Sequence, residues 1–193
     1  MAEVQGLGYF MLDADHPDDI MLLRPLQAIG GISWESGRRF TGAVPQPLYV
    51  NIVEGYEVDT VPPIYTSRVP MMRDDLLACF IENGVDNIDS YPIVITNRVT
   101  GEEIAGYSAI NIIGLVRAAD VTQTVFSPNN PSRLIDADID ALTIDSSRAS
   151  GLLLFRLAEA VTGVVVHEKI KDAVGATGAF PDLRFIEPKE WMG

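Results

Sequence analysis

Cysteine and histidine are nearly missing from this chain: Cys79 is the only thiol, and His16 and His167 are the only imidazoles among 193 residues. A single cysteine excludes an intramolecular disulfide and is compatible with a reducing compartment. Two histidines leave few candidates for a general base or a zinc ligand. Basic residues are also scarce. Fourteen Lys and Arg stand against 27 Asp and Glu, for a formal charge of −13. Such a surface repels a phosphate backbone, so nucleic acid is not the expected partner. No apolar run approaches the roughly 18–20 residues that a membrane span needs. The first basic residue is Arg24, after Glu3, Asp13, Asp15, Asp18 and Asp19, which predicts no secretory leader and a cytoplasmic location. Gly-x-Ser-x-Gly elbows and phosphate-binding loops are absent. Gly6-Leu7-Gly8 begins a dinucleotide fingerprint, but Met11 stands at its third glycine.

Apolar residues, by contrast, make up 47% of the chain and run along its whole length, enough for a core without disulfide or metal. One domain over residues 1–193 is expected, of the α+β (mixed α/β) class, β-rich with short helices. Residues 1–63 read as turn-rich, with short apolar runs at Tyr9 to Leu12, Ile20 to Leu23 and Leu48 to Val53 between prolines and glycines. The clearest helix is predicted from Pro70 to Asn83. Met72, Leu76 and Phe80 recur every fourth residue with Leu77 and Ile81 beside them, Asp74 and Asp75 lie early, and Asn83-Gly84 supplies a stop. Cys79 borders that stripe and reads as a packed thiol.

A hairpin of Tyr91 to Thr96 and Ile104 to Val116 should follow, turning at Asn97 to Gly101. Further strands are expected at Leu134 to Ile144, Leu153 to Leu157, Val164 to Val166 and Leu183 to Ile186. A helix should begin near Glu168 and bury Ile170 and Val174. Two stretches echo each other as loosely similar β-α-β elements: Ile64-Tyr65, helix, Gly84, then Ile88 to Tyr91; and Val165-Val166, helix, Gly178, then Leu183 to Phe185.

Three features bear on chemistry. His16-Pro17-Asp18-Asp19 resembles the metal-binding segment of zinc-dependent N-acetylglucosaminyl deacetylases, but a further ligand is needed and the remaining histidine, His167, lacks that family's local pattern. The expectation is an acidic turn, no metal and no cofactor; a metal-dependent hydrolase is the enzymatic alternative. Asp136, Asp138 and Asp140 open like a calcium loop, yet Ala141 and Ser147 fill the positions that need glycine and glutamate. They alternate with Ile135, Ala137, Ile139 and Ala141, which predicts a strand with one apolar and one acidic face. That face is either solvated or a docking surface for a basic partner. Arg156, within Leu154-Phe155-Arg156-Leu157, is expected to pair with a carboxylate.

Several of these segments occur together in a known family. Gly84-Val85-Asp86-Asn87, Tyr91-Pro92, Tyr107 with Asn111 and Gly114, Leu154-Phe155-Arg156-Leu157, Val165-Val166-His167-Glu168 and Leu183 with Phe185 resemble, in order and spacing, the immunity protein eleven family of bacterial polymorphic-toxin systems. The likeness runs from near Ile64 over the last two thirds. It implies a non-catalytic intracellular protein that neutralises a cognate toxin by contact. A regulatory binding module without a toxin partner is the remaining alternative.

Overall fold

A computed structural model describes residues 8–14, 26–52, 61–66, 69–97, 100–130, 132–149 and 151–193. In chain order the elements are β1 (Tyr9–Ala14), β2 (Leu48–Asn51), β3 (Ile64–Tyr65), β4 (Met71–Arg73), α1 (Asp74–Glu82), β5 (Ile88–Thr96), β6 (Glu103–Ile112), β7 (Leu115–Val116), β8 (Val125–Phe126), β9 (Ile139–Ala141), β10 (Leu154–Leu157), β11 (Val164–His167), α2 (Glu168–Thr177) and β12 (Leu183–Ile186). One sheet has the order β12-β1-β11-β10-β7, a second has β2-β5-β6-β4-β3, and β8 pairs with β9. The result is a β-rich α+β fold with two described helices.

Strand alternation sets the layers. In β1, Leu12 and Ala14 face one side with Phe10, while Tyr9 and Met11 face the other. In β11, Val164 and Val166 face the first side and Val165 the second. The first sheet is therefore buried on both faces at its central strands β1, β11 and β10, which is why these read as largely apolar runs. Its inner face shares a core with the inner face of the second sheet (Ile64, Met72, Ile110, Ile112) and with Leu76 and Phe80 of α1 and Ile170 and Val174 of α2. Trp34, Val50 and Ile52 pack on the outer face of the second sheet. Ala118, Ala137, Ile139 and Leu142 pack on the outer face of the first.

The first helix is shorter than the four-residue spacing predicts. Met71 to Arg73 pair with Tyr107 to Ala109 of β6, so the segment after Pro70 is a strand rather than a first helical turn. Met72 reaches the same core as Leu76 and Phe80, but from β4. Ile81 is half exposed. The stop is as expected: Gly84 adopts φ +100°, its N–H donates to the Ile81 carbonyl, and the Val85 N–H donates to that of Phe80. Cys79 packs against the core, and burial pushes its thiol above the usual range.

The hairpin of β5 and β6 turns at Asn97, whose N–H donates to the Glu102 carbonyl. Its second strand stops at Ile112 instead of running to Val116. Gly114, at φ +137°, redirects the chain so that β7 joins the other sheet beside β10. The second helix buries Ile170 and Val174 as expected. Strand β11 enters that helix and β12 leaves it, and both lie antiparallel to the intervening β1. Strands β4 and β5 flank β6 in the same way on either side of α1. The strand that enters α1 is thus Met71–Arg73, not the expected Ile64-Tyr65. The apolar run Ile20 to Leu23 lies outside the described residues.

Candidate functional site

Residues 118–130 and 132–149 form a lobe on the outer face of the first sheet. Its floor is apolar: Ala118, Ala119, Ala137, Ile139 and Leu142 are buried against Phe155, Leu157 and Val165. Its far edge is closed by the chain's last residues, with the Ile139 N–H donating to the Gly193 carbonyl at 2.5 Å and the Gly193 N–H returning to Ile139 at 3.0 Å. Side-chain hydrogen bonds from Thr122 hold Asp120 below the usual carboxylate range, and those from Ser147 do the same for Asp145; each carboxylate fastens a turn.

The strand expected from Leu134 to Ile144 is present only at Ile139–Ala141. Residues before it form a loop pinned by polar groups. The Ser127 N–H donates to the Asp138 carbonyl at 2.9 Å, the Asn130 side-chain amide to the Asp136 carbonyl at 2.7 Å, and the Ser132 N–H to Asn130 Oδ1 at 2.9 Å. The Ser132 hydroxyl donates to the Ile135 carbonyl. Arg133 lies 5.7 Å from the centre of the Phe126 ring. Asp136 takes a left-handed φ of +52°, which breaks strand geometry at that residue. Alternation therefore holds from Asp136 to Asp140 and fails before it. Ala137 and Ile139 are buried, and Asp136, Asp138 and Asp140 are exposed. Ile135, assigned by pattern to the apolar face, is instead 66% exposed, and Leu134 is 53% exposed. None of the three aspartates forms an ion pair with a described residue.

The other charged groups of interest are inside. Arg156 is fully buried, and burial lowers its guanidinium pKa to about 10. No carboxylate among the described residues forms an ion pair with it, although the charge of Glu35 partly opposes the effect of burial. Its Nη atoms donate to the carbonyls of Val161 at 2.9 Å and Thr66 at 3.3 Å, and Nε has no partner among those residues. Asn87 bridges the two sheets nearby, donating to the carbonyls of Ile113 at 2.7 Å and Leu154 at 2.9 Å. Asn111 donates to the Arg38 carbonyl at 2.9 Å. Glu159 is buried, and desolvation pushes its carboxyl above the usual range. Arg156 and Glu159 are both closed to solvent.

His167 sits at the start of α2, where its Nδ1 accepts the Lys169 N–H at 3.0 Å and its ring stands edge-on to Tyr9 at 5.2 Å. That is a helix cap. No group of three or more His, Cys, Asp or Glu among the described residues is placed to hold a metal. His16, Pro17, Asp18 and Asp19 lie outside the described residues. A groove of about 770 Å³ runs between α2 and β12, lined by Val174, Phe180, Leu183 and Phe185 with Lys171 and Asp172 on its rim. No described helix is long and apolar enough to cross a membrane.

No protein-family model matches the chain, and no curated protein matches it. The likeness to the immunity family therefore stands on the residues quoted for it. Within the fold four of those residues have a structural place: Gly84 ends α1, Asn87 and Gly114 join the sheets, and Arg156 fills the joint. The sequence pattern placed the three aspartates on an exposed face, as observed, but did not foresee the exposure of Leu134 and Ile135. The only signal for them was the cluster Ser127, Asn129, Asn130 and Ser132, which marks a loop rather than a strand.

Proposed function

We propose that the chain is an intracellular immunity protein, without catalytic activity, that binds a cognate bacterial toxin and neutralises it by contact. The observation that carries the reading is the 132–140 surface. Three exposed carboxylates without ion-pair partners among the described residues sit on a pinned loop and a short strand, over an apolar floor. Charges held in place and left unpaired raise the encounter rate with a basic partner and select against acidic ones. A pinned loop loses little conformational freedom on docking. The family resemblance names the partner as a toxin, and the charge of −13 suits a basic one. The two strand–helix–strand units, β4-α1-β5 and β11-α2-β12, we read as two versions of one β-α-β element, which would give the lobe a rigid platform.

The test is co-purification with the toxin encoded beside this protein's own gene. The expected outcome is a stoichiometric complex, loss of toxin activity, and survival of cells that express both. An adjacent toxin that neither binds nor is restrained would remove the reading's main support.

A further inference from the structure

The aspartates account for steering toward a partner but not for holding it, since exposed charges act mainly on association. Residence is set by apolar groups that become buried on docking. The lobe offers three beside the aspartates, two of them adjacent in the chain. Leu134 and Ile135 immediately precede Asp136 in the chain and are 53% and 66% exposed. Val125, also 53% exposed, lies on β8, whose residues pair with Ile139 and Ala141 on either side of Asp140.

We propose that Leu134 and Ile135 are the apolar anchor of this surface and seat in an apolar pocket rimmed by cationic side chains on a basic protein partner. The proposal rests on the docking reading above and adds what fills the contact. The charges decide the occupant. Asp136, Asp138 and Asp140 would be desolvated as the loop is covered, and a buried carboxylate is costly unless a cation meets it. An anionic membrane would be repelled by the same three groups. A second copy docking through the same face would bring six carboxylates together. A basic protein satisfies both the apolar pair and the acids.

The experiment compares four full-length proteins against the toxin encoded beside the gene: the parent; Leu134→Ser with Ile135→Ser; Asp136→Asn with Asp138→Asn and Asp140→Asn; and Ile81→Ser as a control of similar exposure on α1. Dissociation and association rates are read separately on a biosensor over a salt series, and thermal unfolding confirms that each variant folds. The Leu134/Ile135 variant should dissociate ~10-fold faster or more, with parental association and salt dependence. The aspartate variant should associate more slowly with weaker salt dependence, and Ile81→Ser should match the parent. Unchanged dissociation in the Leu134/Ile135 variant overturns the anchor while leaving the docking reading intact. So does loss of binding by Ile81→Ser to the same degree. Sedimentation of the parent with anionic phospholipid vesicles, or dimerisation lost in the Leu134/Ile135 variant, reassigns the anchor and overturns it. A parent that does not bind the toxin ends the docking reading and the anchor together.

Discussion

At the scale of single residues, Arg156 departs furthest from sequence logic. An arginine between Phe155 and Leu157 predicts a carboxylate partner, yet the partners found among the described residues are the carbonyls of Val161 and Thr66. These acceptors lie 5 and 90 residues away, and no local pattern reveals the second. Truncation would leave a cavity and strand those carbonyls. Arg156→Ala should cost about 3 kcal/mol or more in denaturant unfolding. Arg156→Met fills the space without a buried charge and should cost clearly less. Glu159 gives a pH test. Its folded-state pKa is raised by burial, so the folded state binds its proton more tightly than the unfolded chain. The stability it contributes is full below about pH 4, near the unfolded carboxylate value, and is lost as pH rises through the raised folded value. Glu159→Gln should therefore match or exceed the parent at neutral pH and lose that advantage in acid, as followed by urea unfolding across pH.

At the scale of elements, periodicity was readable where one element answers to one pattern. The hairpin of β5 and β6, helix α2 and strand β12 follow from alternation, the spacing of Ile170 and Val174, and turn residues. The failures have long-range causes. Met71-Met72-Arg73 fits a helical turn, but pairing with β6 makes it a strand, and that pairing spans some 35 residues. Residues 134–138 alternate like a strand, but Ser127, Asn130 and Ser132 pin a loop there with Asp136 left-handed. The three aspartates were legible as an acidic face; the exposed aliphatic pair beside them was not, because the strand pattern assigned Ile135 inward. Two substitutions test the elements. At Gly84 an added Cβ would lie 3.4 Å from Leu153 Cδ1, an ordinary contact, so Gly84→Ala should cost only the left-handed backbone, about 1 kcal/mol. Asn87→Ala removes both amide bonds that bridge the sheets and leaves two part-buried carbonyls, so it should cost about 2 kcal/mol by the same unfolding assay.

At the scale of the whole molecule, the proposed docking to a basic partner joins a charge of −13 to three exposed aspartates that form no ion pair with a described residue. Replacing Asp136, Asp138 and Asp140 by Asn should leave the unfolding midpoint nearly unchanged, because exposed charges without ion-pair partners contribute little to stability. The same change should weaken protection of toxin-expressing cells. Most direct is a titration of the purified chain into the purified toxin encoded beside its gene, with toxin activity as the readout. The expected result is inhibition complete at one molar equivalent, weakened for the triple Asn variant as salt-dependent association is lost. Toxin activity that persists at saturating amounts of the parent chain would contradict the account.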